Sequence, residues 1–256
     1  MEKKYLNAIS GLLQGAGTNF PETDLYNEGW MLRLVLDYFK KSQVKGHPLS
    51  FHEGSEWYSE GLLASPFLDR GPKKVRSLAE GYTHADGVIG HFKIGKDKKG
   101  ELTLNEDATQ IVVIEAKMNS KLSKGVSNAV YYDQAARNVA CIVELVRKNA
   151  RVIGQYKKIA FYLIAPKCKI DEPNSFLEMS RESIERKVRE RVQGYEGTKN
   201  RWHKEWFQKT INQMEIGVFS WEDIIDFVKN EESEAGNYLN GFYEKCLEYN
   251  LKENIF

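Results

Sequence analysis

The sequence predicts an α/β protein in which helices flank a central mixed β-sheet. Two apolar runs, residues 111–114 and 159–165, have the length and composition of strands buried in a core. Between them, apolar residues of segment 127–148 recur at the three- and four-residue spacing of an amphipathic helix. A buried strand, a helix and a second buried strand in this order indicate the α/β layout.

The composition is that of a globular protein. Of 256 residues, 41% are hydrophobic and 29% are charged, and 37 basic and 36 acidic residues give a net charge of +1. A chain of this length buries one large core, so we expect residues 1–256 to form a single domain. The small net charge gives no indication of a nucleic-acid partner, and evidence for one must come from local patches.

Sequence features also bear on location and on metal chemistry. The longest apolar run, 159–165, is far shorter than the ~20 residues that span a bilayer, and the charged N-terminus is unlike a secretory signal. We therefore expect a cytoplasmic protein with no membrane partner. The three cysteines, Cys141, Cys168 and Cys246, form no C-x-x-C pair, which argues against a zinc site.

The N-terminal region is predicted to be mainly helical. Residues 1–14 indicate a short helix. Segment 19–24 has the chemistry of a helix start, and the apolar residues after it predict an amphipathic helix to about residue 39. A further helix is expected near residues 53–63.

The next segment is rich in residues that favour strands. Residues 88–94 and 102–104 predict two strands joined by a hairpin whose tip is 96–100. The buried strand 111–114 follows them. The three strands precede the helix of segment 127–148 and the second buried strand.

The chain after residue 166 is predicted to be mostly helical. Residues 218–223 indicate a short strand that runs into a capped helix, and residues 230–256 an acidic terminal helix. Segment 199–206 interleaves basic residues with two tryptophans. Such a segment either grips phosphates and stacks bases, or forms an amphipathic helix whose tryptophans pack inward.

The most informative motif is Glu115-Ala116-Lys117, at the end of the buried strand 111–114. Because side chains alternate along a strand, Glu115 and Lys117 share one face and Ala116 points away. A carboxylate and an ammonium buried there are costly unless they meet a partner or a metal. Asp86 lies at the start of the first strand, beside Glu115 if the strands form a meander.

Two carboxylates and a main-chain carbonyl are suitable ligands for Mg²⁺. The expected ligands are the side chains of Asp86 and Glu115 and the carbonyl oxygen of Ala116. Bound Mg²⁺ polarises a phosphoryl oxygen, and the Lys117 ammonium orients the attacking water or stabilises negative charge. These residues predict phosphodiester hydrolysis. The alternatives are a strand-end ion pair of Glu115 with Lys117 and a hairpin turn at Asp86.

Asp86 and Glu115-x-Lys117, after an apolar strand and between flanking helices, resemble the PD-(D/E)XK nuclease superfamily, which has the restriction-endonuclease-like fold. The resemblance covers about residues 24–166, a nuclease-like core, and leaves 167–256 as a mostly helical C-terminal elaboration. It implies that Asp86 and Glu115 bind Mg²⁺, for which Mn²⁺ substitutes, and that Lys117 is the catalytic lysine.

The resemblance assigns two further site residues. The family often adds a glutamate from the preceding helix, and Glu28 fits that place; the alternative is an exposed first-turn glutamate favoured by the helix dipole. RecB-like members carry a glutamine on the helix after the core strand, commonly with a tyrosine four residues later. Gln134 matches the glutamine, but Asn138 stands at the tyrosine position. Ala85 replaces the proline of the family name, which is not a ligand.

The resemblance implies a Mg²⁺-dependent nuclease that cuts DNA, with endonucleolytic cleavage expected and RNA as an occasional substrate. Restriction, other defence against foreign DNA, and repair are roles consistent with it. Many members of the family form homodimers to cut both strands. The alternative from another class is a non-catalytic nucleic-acid-binding or assembly module that retains the acids for structure. Hydrolysis of a small phosphorylated substrate is a third interpretation.

Overall fold

The computed structural model describes residues 21–68, 79–95, 100–123, 125 and 129–251. Its strands form a five-stranded sheet and a separate two-stranded hairpin. The strands are β1 (Glu56–Leu63), β2 (Thr83–Gly90), β3 (Phe92–Ile94), β4 (Leu102–Leu104), β5 (Gln110–Ala116), β6 (Lys158–Ala165) and β7 (Glu215–Ser220).

Helices precede, connect and follow the strands. They are α1 (Glu28–Ser42), α2 (Gln134–Asn149), α3 (Lys167–Ile170), α4 (Arg181–Gln193), α5 (Asn200–Trp202), α6 (Gln208–Gln213), α7 (Trp221–Glu231) and α8 (Ser233–Leu251). A π-helical turn, His203–Phe207, joins α5 to α6. Among the residues described, no helix has both the length and the apolar character needed to cross a membrane.

The five-stranded sheet is mixed. Its strand order is β1-β2-β5-β6-β7, with β1, β2 and β5 antiparallel and β5, β6 and β7 parallel. The connection from β5 to β6 contains α2, as parallel pairing requires a crossover. β3 and β4 pair only with each other, between β2 and β5 in the chain. The predicted α/β class with helices around a mixed sheet is therefore confirmed.

Two apolar layers cover the sheet, one on each face. The β5 residues Ile111 and Val113 pack with α2 and α4, whereas Val112 and Ile114 pack with α1, α7 and α8. β5 is buried over its whole length, because helices cover both of its faces and strands pair with both of its edges. The Glu115 motif therefore lies at the C-terminal end of the middle strand of the sheet.

The structure corrects several element boundaries. The predicted helix near residues 53–63 is wrong, because segment 56–63 is the edge strand β1. Its pairing with β2 spans most of both strands, a long-range interaction that local sequence does not reveal. The single strand predicted at 88–94 is two strands, β2 and β3. The helix expected from residue 127 begins at Gln134.

Other predictions are confirmed or lie outside the described residues. The helix expected to residue 39 is α1, which continues to Ser42, and the strand at 218–223 is the end of β7 followed by α7. β7 extends the central sheet, so the C-terminal part contributes a strand as well as helices. The predicted helix at 1–14 and most of the hairpin tip at 96–100 lie outside the described residues.

Candidate active site

The Glu115 side chain lies at the end of β5 and is only 1% exposed. One of its oxygens, Oε1, accepts hydrogen bonds from Lys117 Nζ at 2.7 Å and from Gln134 Nε2. The other, Oε2, accepts from Asn138 Nδ2 at 3.1 Å. The carboxylate therefore faces α2, on the same side of the strand as Lys117, as the alternation of side chains predicts.

Asp86 meets β5 through its side chain. Its Oδ2 accepts a hydrogen bond from the main-chain N–H of Ala116 at 2.8 Å. The ladder between β2 and β5 ends at the pair Gly87–Ile114, and continuing its register would place Ala116 opposite Ala85. The Asp86 carboxylate thus replaces a main-chain carbonyl, and the two strands part at this point.

The backbone around Asp86 is irregular. Ala85 and Val88 both pack in the layer beneath α2, although residues three apart in a regular strand face opposite sides. The β1 residue at the same level, Glu60, has a φ of 57°, in the left-handed region that few non-glycine residues adopt. Such backbone strain is often found at functional sites. Here it accompanies the turn of the Asp86 carboxylate towards β5.

The two carboxylates repel each other. Burial and, second, the charge of nearby Asp86 raise the pKa of Glu115 to about 8, although the Lys117 ammonium acts in the opposite direction. A buried carboxyl beside a second acid tends to retain its proton, because ionisation places two like charges together in a medium of low dielectric constant. A divalent cation between them would remove this repulsion.

Three oxygen groups of the kind that Mg²⁺ takes as ligands meet near this edge: the Asp86 and Glu115 carboxylates and the Ala116 carbonyl. An ionised carboxylate offers about four acceptor positions, of which Glu115 uses three. The N–H and C=O of one strand residue point to the same neighbouring strand, so the Ala116 carbonyl lies on the edge that meets Asp86. No group of three or more His, Cys, Asp and Glu side chains able to hold a metal occurs in the described part of the chain.

Main-chain contacts hold Lys117 in place just beyond β5. Its N–H donates to the Ile164 carbonyl at 2.8 Å, and its own carbonyl accepts from Trp221 Nε1 at 2.9 Å. The side chain is 13% exposed, so the ammonium lies between the buried Glu115 and solvent.

Gln134 connects the loop after β5 to the carboxylate. It is the first residue of α2, and its Oε1 accepts the Ser123 N–H at 3.0 Å while its amide donates to Glu115. Asp133 caps the same helix by accepting the Ala136 N–H, and pairs with Lys187 of α4. The structure therefore brings Gln134 to Glu115, as the resemblance implies.

Asn138 is the contact that sequence reasoning missed. It was noted only as a departure from the tyrosine of RecB-like proteins, yet it donates directly to Glu115. Its side chain is fully buried, and its position four residues after Gln134 puts both amides on one helix face. A polar residue at that spacing, amid the apolar residues of the helix, was the available signal.

Glu28 is the half-buried first residue of α1, and no hydrogen bond or ion pair among the described residues joins it to Asp86 or Glu115. Burial and the Glu28 charge raise the pKa of Cys246 on α8 to about 12, so Glu28 lies near the contact of α1 with α8. Its place in the first turn agrees with the alternative, a glutamate favoured by the helix dipole.

The tryptophans of segment 199–206 pack inward. Trp202 is buried in the layer beneath α2, where its Nε1 donates to Glu144, and Trp206 packs against the same layer. Of the two alternatives for this segment, the tryptophans follow the amphipathic one.

Comparison of the chain with protein-family models, with curated proteins and with solved structures gave no match.

Proposed function

We propose that this protein is a Mg²⁺-dependent nuclease that hydrolyses phosphodiester bonds of DNA. One observation carries the proposal: a buried Glu115 carboxylate lies beside Asp86 where two strands part, with the Lys117 ammonium on the solvent side. The mixed sheet with helices on both faces is compatible with the restriction-endonuclease-like fold, which supports the same interpretation.

Each residue has a role in this proposal. Asp86, Glu115 and the Ala116 carbonyl hold Mg²⁺ or Mn²⁺, which when bound activates water and stabilises charge on the phosphoryl group. Lys117 orients the attacking water and offsets the developing negative charge, as a fixed ammonium beside the reacting group does. Gln134 and Asn138 keep the Glu115 oxygens in position.

The second candidate is a non-catalytic nucleic-acid-binding or assembly module. It is favoured by one observation: the Glu115 oxygens already have three hydrogen-bond donors from the protein, which is sufficient for a purely structural ion pair. In this case the buried cluster fastens α2 to the end of β5 and takes no metal.

A cleavage assay separates the two candidates. Plasmid and linear DNA are incubated with the protein, with Mg²⁺ or Mn²⁺ or with EDTA, beside Lys117→Ala and Asp86→Ala. The matched controls are Lys157→Ala and Asp107→Ala, which replace exposed residues of the same types. We expect metal-dependent cutting that both site variants lose and both controls keep. Intact DNA that still shifts on a gel supports the binding module instead.

Metal uptake is measured separately by calorimetric titration of Mg²⁺ or Mn²⁺, with and without an oligonucleotide. Uptake by the wild-type protein and its loss in Asp86→Ala support the metal site. Absence of uptake under both conditions refutes it, whatever the cleavage result.

A further inference from the structure

An exposed tryptophan lies near the start of α1, the helix that packs against β1 and β2. Trp30 of α1 is 42% exposed, while the opposite face of the helix is buried against the sheet. A single exposed apolar side chain is common on protein surfaces. What distinguishes Trp30 is its surroundings.

Arg33 is held over the Trp30 ring. Its guanidinium carbon lies 5.0 Å from the ring centroid, and its Nε donates to Ser59 Oγ at 3.0 Å. Its Nη2 lies 3.8 Å from Glu60 Oε1. The ring and the cation are therefore fixed relative to β1.

This pair is linked to the strand that lies beside Asp86. Arg33 contacts Ser59 and Glu60 of β1. The β1–β2 pairs Ser59–Gly87 and Gly61–Ala85 flank the level at which Glu60 and Asp86 face each other, and neighbouring strands are about 5 Å apart. The pair and the candidate site therefore share one level of the sheet.

We propose that Trp30, backed by Arg33, is a stacking platform for an unpaired base of the strand that enters the candidate site. This inference rests on the proposed function and adds a substrate class to it: single strands, flaps or frayed ends. Every base offers a π-face to an aromatic ring, whereas the bases of an intact duplex are already stacked on each other. A fixed ring with an exposed surface suits that contact.

The charges nearby indicate how the platform binds. Arg33 is paired with Glu60, so the cation over the ring is already offset by an acid, and attraction to phosphates contributes little at this position. Stacking does not release counterions, and its contribution is therefore nearly independent of salt concentration. This separates the platform from a basic patch, whose contribution falls steeply with salt.

The test measures binding by fluorescence anisotropy in EDTA, so that cleavage does not interfere. The probes are a short labelled single-stranded oligonucleotide and an abasic oligonucleotide of equal length. The variants are Trp30→Ala, Trp30→Phe and the control Tyr238→Ala, which removes an exposed aromatic side chain of α8. Thermal unfolding verifies that each variant is folded.

We expect Trp30→Ala to weaken binding of the single strand roughly 5- to 100-fold, at low and at high salt alike. Trp30→Phe keeps most of the affinity, Tyr238→Ala keeps all of it, and no variant changes binding of the abasic probe. Unchanged binding by Trp30→Ala, an equal loss on the abasic probe, or no binding of the single strand by the wild-type protein overturns the platform.

The two proposals fail in distinguishable ways. Metal-dependent cleavage by the wild-type protein, together with unchanged binding by Trp30→Ala, refutes only the platform. Base-dependent loss of binding in Trp30→Ala, together with no cleavage in any metal, refutes only the nuclease.

Discussion

Asp86→Asn is expected to stabilise the metal-free protein at alkaline pH. Asparagine keeps an oxygen that accepts the Ala116 N–H, but it removes the charge that faces Glu115. A carboxyl whose pKa is raised in the folded protein destabilises the fold as it ionises. The cost is absent below its unfolded pKa of 4.5 and grows as the pH rises through its folded pKa of about 8.

The size of the expected stabilisation follows from the raised pKa of the Glu115 carboxyl. A rise of its pKa from 4.5 to about 8 corresponds to about 4 to 5 kcal/mol when the group is fully ionised. Burial is the larger cause and remains in the variant, while the Asp86 charge is the second and is removed. We therefore expect Asp86→Asn to gain about 1 to 2 kcal/mol of unfolding free energy at about pH 9, and close to nothing at about pH 6.

Urea unfolding in EDTA at the two pH values is the assay. Addition of Mg²⁺ should then stabilise the wild-type protein and leave the variant unchanged, because a ligand that binds only the folded state raises stability by mass action. A variant less stable than the wild-type protein at alkaline pH, or a gain of the same size at both pH values, would refute the repulsion between the two carboxylates.

Three further predictions concern stability. Asn138→Leu removes a donor from the buried Glu115 carboxylate and should cost about 1 to 3 kcal/mol in urea unfolding; unchanged stability would contradict the bond. Burial and, second, the Lys158 charge lower the pKa of His47 to about 4. The neutral His47 side chain therefore contributes stability above pH 6.5, and this contribution is lost as the pH falls towards 4. His47→Asn should remove about 1 to 2 kcal/mol of this acid dependence, seen as a flatter plot of melting temperature against pH. A Cβ at Gly90 would lie 2.4 Å from a main-chain oxygen of β5, whereas one at Gly154 meets nothing within 4 Å. Gly90→Ala should therefore lower the free energy of unfolding by about 3 kcal/mol, measured by calorimetry. Equal stability of Gly90→Ala and the control Gly154→Ala would refute the clash.

The core of the candidate site was predictable because its determinants are local. The apolar run of β5 ends in Glu115-Ala116-Lys117, and alternation along the strand places the two charged side chains on one face. The contact of Asp86 with β5 required one additional assumption, a meander. β2 does lie antiparallel beside β5, but the intervening β3–β4 hairpin lies outside the five-stranded sheet.

The remaining features depend on interactions between distant segments. Segment 56–63 becomes a strand only by pairing with β2, and the left-handed Glu60 interrupts the alternation that marks a strand. The role of Asn138 depends on how α2 is rotated over β5, which side-chain spacing alone does not determine. The helix-start position of Glu28 was equally compatible with a site role and with a favourable dipole interaction.

The parting of β2 from β5 has a consequence for how such a protein diversifies. The pairing of β2 with β5 covers Gly87–Gly90 and Ile111–Ile114, and Asp86 and Ala116 lie just outside it. Insertions in the connections beyond this edge leave this pairing untouched, as surface connections tolerate changes in length. The shape and chemistry of this edge can therefore change without loss of the paired strands.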